Sequence, residues 1–136
     1  MATILIADDE PGMRTLIKQT LEPLADEGVV IQEASDGKQA LEGIKIEKPD
    51  LILLDIMMPK MDGYDVCNTV KNELGMNDIY VLMLTANGQA FDKQRCTDAG
   101  VDYYITKPFN LDVFLEKVVN ILKIEKLLKK KKSFLK

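Results

Sequence analysis

Five short apolar runs punctuate the chain, and between them apolar residues recur every three or four positions. Ile4 to Ala7, Leu51 to Leu54 and the IYVLMLT run from Ile79 are continuous enough to form strands buried on both faces. VVIQEA, entered through a turn at Gly28, is more polar and suits an edge, and VDYYIT from Val101 makes a fifth strand. Between them, helical spacing is carried by Met13, Leu16, Ile17 and Leu21, then by Ala40, Leu41 and Ile44, then by Val66, Cys67, Val70 and Leu74. Pro23 restricts Glu22 and closes the first helix nearby; Ser35 or Asp36 can cap the second, which Pro49 stops. ANGQAFDKQRCTDAG, closed by Gly100, has few large apolar side chains and predicts a loosely held fourth helix. From Asn110 a long fifth helix turns Leu111, Phe114, Leu115, Val118, Val119 and Leu122 inward.

Strands and helices therefore alternate at spacings of about 20 to 30 residues, the pattern of right-handed βαβ crossovers on a parallel sheet. The predicted fold is α/β, a three-layer α/β/α sandwich. Periodicity leaves the strand order open between flavodoxin-like and Rossmann-like.

At 136 residues, 46% hydrophobic and 29% charged, the chain fits one domain with a core that needs no disulfide or metal staple. No apolar run approaches the ~18 to 20 residues that span a bilayer, and the N-terminus lacks the layout of a signal peptide, so the cytoplasm is the expected location. Cys67 and Cys96 match neither a zinc pattern nor a disulfide framework and read as packed, inert thiols. Residues 123–136 hold seven Lys against one Glu, a net +6, which leaves −10 for residues 1–122 out of the total of −4. An acidic body argues against nucleic-acid binding by the core. Without a single His, the chain lacks the usual general base and metal ligand.

The chemistry gathers at the strand ends. Asp8 and Asp9 follow the first strand, Asp55 the third, Thr85 ends the fourth and Lys107 the fifth. In a parallel sheet these ends share one edge, where ligands bind. Three carboxylates in one pocket repel one another unless a cation joins them, and hard oxygen ligands suit Mg²⁺, which keeps several waters and accepts a phosphate oxygen. A metal so held would orient a phosphoryl donor toward a carboxylate oxygen, and aspartate is a competent nucleophile for that transfer. Thr85 and Lys107 would supply a hydroxyl donor and a cation to the phosphoryl oxygens.

These residues, in the motifs ILIADDE, LILLDIMMPKMDGYD, VLMLTA and YYITKPF, make the sequence resemble a response-regulator receiver domain of bacterial two-component signalling, from Thr3 to about Leu122. The resemblance implies a flavodoxin-like (βα)5 fold with sheet order 2-1-3-4-5, and a stand-alone module similar to the chemotaxis regulators. It makes Asp55 the phosphoacceptor, Asp9 a direct Mg²⁺ ligand, Asp8 an acid acting largely through water, and Met57 a ligand through its backbone carbonyl. Thr85 becomes the switch hydroxyl, Ala86 a residue small enough to admit the phosphate, and Lys107 the phosphate-binding cation, with a cis Lys107-Pro108 bond. Tyr104 is expected to rotate inward when phosphate draws Thr85 in, remodelling the face made by the fourth helix, fifth strand and fifth helix. Met57 and Asn87 stand where the family varies, and an apolar Met57 with no carboxylate at Asn87 implies slow self-dephosphorylation.

The function so implied is an interaction switch. A histidine kinase or phosphotransfer protein donates the phosphoryl group, a downstream protein reads the remodelled face, and the module works as a monomer or a phosphorylation-dependent dimer. Its only catalysis is its own phosphorylation and slow hydrolysis. Two alternatives remain: a haloacid-dehalogenase-like Mg²⁺-dependent phosphatase, which needs a second acid where Met57 stands, and a constitutive interaction module, against which the full set of acids, Thr85 and Lys107 argue. Residues 1–122 form the expected receiver domain. Residues 123–136 form a basic helical extension that continues the stripe of the fifth helix through Ile124, Leu127 and Leu128. It could contact an acidic partner or a membrane surface through Phe134 and Leu135. No DNA-binding domain is seen in the chain, so output through protein contact is expected.

Overall fold

The computed structural model describes residues 2–86, 92–107 and 109–134, with Ala86 and 123–134 as backbone only. Five parallel strands, β1 (Thr3–Ala7), β2 (Val30–Ala34), β3 (Leu51–Asp55), β4 (Tyr80–Ala86) and β5 (Tyr103–Lys107), form one sheet in the order β2-β1-β3-β4-β5. The order left open by periodicity is thus flavodoxin-like. β1 and β3 are buried at every position, whereas β2 and β5 bury only Ala34 between them, as edges should.

Helices cover both faces. α1 (Pro11–Thr20), α2 (Glu22–Asp26) and α6 (Leu111–Phe134) lie on one side, where Ile17, Leu24, Phe114, Val118 and Ile121 pack with Ile4, Leu53 and Leu84. α3 (Gly37–Ile46), α4 (Gly63–Asn68) and α5 (Lys93–Ala99) lie on the other, with Ile44, Val66, Cys67 and Ala99 against Ile52, Leu54 and Met83.

Three local departures from the expected elements have physical causes. The first helix closes at Thr20, near Pro23, but the chain resumes helical as α2 after Leu21, where Pro23 occupies the first turn and its missing N–H costs nothing. α4 runs on through a π-helical turn, Thr69–Glu73, closed by the Leu74 N–H on the Thr69 carbonyl at 2.8 Å. α5 buries only Cys96 and Ala99, as its weak stripe predicts, yet it is not loose. Cys67 Sγ donates to the Ala99 carbonyl at 3.3 Å, Asn72 Nδ2 to the Asp98 carbonyl at 3.0 Å, and the Asp92 N–H to the Tyr64 hydroxyl at 2.7 Å. Gly100 closes it at φ 84°, as a C-terminal glycine does. The backbone of α6 continues helical to Phe134, across the boundary expected at residue 122. Among the described residues no helix is long and apolar enough to cross a membrane.

Candidate phosphoacceptor and metal site

Register brings the acids together. Ala7 pairs with Leu54, so the residues that follow, Asp8 and Asp55, emerge side by side at the C-terminal edge. Carboxylate oxygens of Asp8, Asp9 and Asp55 all lie within 4.8 Å of one another. Asp8 and Asp55 are buried and Asp9 is exposed. On the far side Lys107, level with Ala86 across the β4–β5 pair, reaches past the end of β4. Its Nζ donates to Asp8 Oδ2 at 3.1 Å and stands 3.5 Å from Asp55 Oδ1.

This crowding shows in the acid's proton affinity. Burial, followed by the Asp8 charge, pushes the Asp55 carboxyl up to about 6 against the opposing pull of Lys107, with Asp9 adding to the rise. Burial pulls the Lys107 ammonium down, but Asp55 and Asp8 more than offset it, and its pKa rises above the ordinary value. At neutral pH Asp55 is therefore largely ionised, as a nucleophile must be, in a pocket with more negative than positive charge.

The loop after Asp55 is shaped for close approach. A Cβ at Gly63 would lie 2.4 Å from the Asp55 carbonyl, and the Gly63 N–H donates to the Ile56 carbonyl at 2.8 Å. The chain thus folds back against the strand end, with Met57 at the turn and 62% exposed. Lys60 takes a left-handed φ of 71° and pairs with Asp36 at 3.5 Å, tying the loop to the cap of α3. Asp36 is that cap, accepting from the Gln39 N–H at 2.8 Å.

Thr85 is 1% exposed, paired with Thr106 in the sheet. Tyr104 pairs with Met83 and, two residues from Thr106, shares its face of the sheet with Thr85. Tyr104 is 44% exposed, beside Tyr103 at a ring separation of 6.4 Å. Lys117 Nζ sits 3.9 Å over the Tyr103 ring, and Val113 is exposed nearby on α6. The face expected to respond is formed here by α5, β5 and α6. Asn87 and the Lys107-Pro108 bond lie outside the described residues, as do the side chains of Ala86 and of the basic extension.

The donor set fits Mg²⁺. Three hard carboxylates converge, one of them is exposed with no hydrogen bond to its carboxylate among the described residues, and the cluster carries charge that one lysine does not balance. The thiols play no part: burial pushes Cys67 up to about 12 and also raises Cys96.

Sequence reasoning passed over four polar residues that the structure uses. Arg14 donates to the Asp8 backbone carbonyl at 2.7 Å, and Lys71 is buried beneath Gly100. Tyr64 is buried with Arg95 lying 4.2 Å over its ring, and that guanidinium faces Asp62 at 3.4 Å. Arg14 and Lys71 left a signal: Arg14 is three before Ile17 and Lys71 four after Cys67, charges on otherwise apolar stripes.

A family model described as the response regulator receiver domain matches residues 4–119. The chain is 41% identical over 124 residues to the DNA-binding dual master transcriptional regulator RpaA of Synechocystis sp., covering 90% of this chain and 50% of that protein. It is 45% identical over 107 residues to the alkaline phosphatase synthesis transcriptional regulatory protein PhoP of Bacillus subtilis, covering 79% and 42%. The chain spans about half the length of the curated relatives it matches. Among solved structures, the receiver domain of a Francisella response regulator superposes with a TM-score of 0.78 at 30% identity, covering 92% of this chain and 99% of that one. The chemotaxis response regulator CheY4 of Vibrio cholerae does so with 0.77 at 29%, covering 89% and 98%.

Proposed function

The chain belongs to the response regulator receiver domain family, and from that premise we propose that Asp55 is its phosphoacceptor, that Asp9, Asp55 and the Met57 carbonyl bind Mg²⁺ directly with Asp8 acting largely through water, and that Lys107 and Thr85 are the partners of the transferred group. Receiver domains are phosphorylation-activated signalling modules, not catalysts of a metabolic reaction, and they bind Mg²⁺ at an acidic pocket. The observation that carries the assignment is the environment of Asp55: a buried strand-end carboxylate raised to about 6, between two further acids and one lysine.

A carboxylate oxygen of Asp55 attacks phosphorus, an acyl-phosphate P–O bond forms, and the bond from phosphorus to the donor breaks with its electron pair leaving on the donor. Lys107 meets the phosphoryl oxygens with a cation, and Thr85 meets them with a hydroxyl. Bound Mg²⁺ would neutralise the oxygens' charge on the acid side. The donor is a histidine kinase or phosphotransfer protein. Tyr104, exposed in this state, turns inward as Thr85 shifts, and the face formed by α5, β5 and α6 presents the change to a downstream protein. The phosphatase alternative is not favoured, since Met57 stands where its second acid belongs, and neither is a constitutive module. Self-hydrolysis is slow, because the apolar Met57 shields the acyl phosphate from water and Asn87 offers no carboxylate to activate that water; a half-life of seconds at neutral pH would contradict this.

The deciding experiment is acetyl phosphate with Mg²⁺, read by intact mass on wild type and Asp55→Asn. One added phosphoryl group on the wild type alone is expected. Its appearance on both proteins, or on neither, overturns the assignment.

A further inference from the structure

We propose that Arg14 is a positioning residue for the metal-binding turn, holding Asp8 by its backbone so that Asp9 meets Mg²⁺ in a preset direction; this rests on the reading of Asp8, Asp9 and Asp55 as the Mg²⁺ site. Arg14 stands near the N-terminus of α1, where the helix dipole disfavours a cation, but Glu10 at the N-cap and the acids of the site lie close by. The specific role of Arg14 is read from its contacts. Nη1 donates to the Asp8 carbonyl at 2.7 Å while Nε faces Glu33 Oε1 on β2 at 3.6 Å, with the side chain only 18% exposed. One planar guanidinium thus joins α1, the end of β1 and the neighbouring strand at once, which a lysine ammonium on a flexible stem cannot reproduce.

With this contact every polar atom of Asp8 is held. Its N–H donates to the Ala34 carbonyl at 3.1 Å, Oδ1 accepts the Glu10 N–H at 2.9 Å, Oδ2 accepts Lys107 Nζ at 3.1 Å, and the carbonyl accepts Arg14. Asp9 is the opposite, exposed and with no hydrogen bond to its carboxylate among the described residues. Its backbone lies between the pinned Asp8 and the pinned Glu10 N–H, so the aim of its carboxylate is inherited from them. Without Arg14, the turn would have to be ordered when the metal binds, and that entropy would be taken from the affinity.

Charge alone argues the other way. A cation beside a cation site repels the metal, so removing it would tighten binding. Glu33 faces the guanidinium at 3.6 Å but is shared with Lys18, whose Nζ it accepts at 3.2 Å, so it offsets that repulsion only in part. The two effects therefore predict opposite signs.

Mg²⁺ affinity is measured by titration calorimetry on wild type, Arg14→Gln, Arg14→Lys and Glu33→Gln, with folding checked by circular dichroism. Arg14→Gln is expected to bind Mg²⁺ about ten-fold more weakly, the scale of losing an outer-sphere support. Arg14→Lys should fall in the same direction although it keeps the charge, and it carries the test if the Gln variant does not fold. Glu33→Gln should stay within about two-fold, because the bond to Asp8 survives. Phosphorylation by acetyl phosphate should recover in Arg14→Gln at saturating Mg²⁺, placing the defect in binding and not in the transfer step. Unchanged or tighter Mg²⁺ binding in the Arg14 variants overturns the proposal while leaving the site reading intact. A wild type that binds no Mg²⁺ overturns both.

Discussion

Among the described residues, Lys71 and Lys107 are drawn out of water, and their pockets differ in one respect that separates structure from function. Lys71, 7% exposed in the π-helical turn, spends all three N–H groups: on the Ile79 carbonyl at 2.6 Å, on Asp102 Oδ2 at 2.8 Å and on the Asn77 carbonyl at 3.3 Å. One cation meets one anion, and Asp102 Oδ2 also accepts the Val81 N–H at 2.7 Å, so nothing is left over. Lys107, 15% exposed, meets Asp8 and Asp55 with Asp9 close behind, and the pocket keeps surplus negative charge. A balanced pocket is finished. An unbalanced one stores repulsion that a divalent ion or a proton relieves, and the rise of Asp55 to about 6 is the cost of burial first, with that repulsion added to it.

The contrast can be broken most severely at Lys71. Replacing it by Met leaves Asp102 without its cation and two carbonyls without a donor, and should cost about 3 kcal/mol of stability by urea denaturation, with no rescue by Mg²⁺. Rescue by the metal would mean that the two pockets are not separate. At Lys107 the same replacement should act on chemistry: phosphoryl uptake from acetyl phosphate falls by about 10²-fold, the scale of losing one stabilising donor. Its stability should drop in EDTA and return with Mg²⁺. Uptake at the wild-type rate would remove Lys107 from the site.

A smaller effect tests the stored repulsion directly. Because the folded pKa of Asp55 is raised, the favourable contribution of its protonated form is complete below about 4 and is lost as pH climbs through about 6. In EDTA, Asp55→Asn should therefore be more stable than wild type at pH 7 by about 1 to 2 kcal/mol, after allowing for screening on the open side of the pocket. Below pH 4 the difference should close, and a difference independent of pH would show that Asp55 carries no such strain. The smallest effect is expected at a third lysine, Lys48, whose ion pair with Asp78 lies in solvent. Lys48→Ala should leave the denaturation midpoint where it was; a clear loss would show that pairing alone, without burial, is enough to stabilise this protein.

Much of the site was legible because its members sit at the ends of apolar runs. Asp8, Asp9, Asp55, Thr85 and Lys107 each interrupt a strand pattern at the same end, and parallel connection carries those ends to one edge. Arg14 and Lys71 were not legible in the same way, since a lone basic residue on a helix reads as solvated and its acceptors lie in other segments. For Lys71, Asp102 is 31 positions away; for Arg14, Glu33 is 19 away on the neighbouring strand. The ties from Tyr64, Cys67 and Asn72 to α5 were likewise hidden, so a helix with a weak apolar stripe looked looser than it is.

By itself the sequence determined the alternation of strand and helix, the buried centre and exposed edge of the sheet, and which residues would reach its carboxyl edge. Those follow from local periodicity, which each segment carries within itself. Only the tertiary structure decided which charges are balanced. The break at Leu21, the π-helical turn that carries Lys71, the exposed setting of Tyr104 and the full pinning of Asp8 all depend on distances between segments remote in the chain. Charge balance is a property of such distances, since Coulomb energy and desolvation are set by what packs around a group and not by its neighbours in sequence.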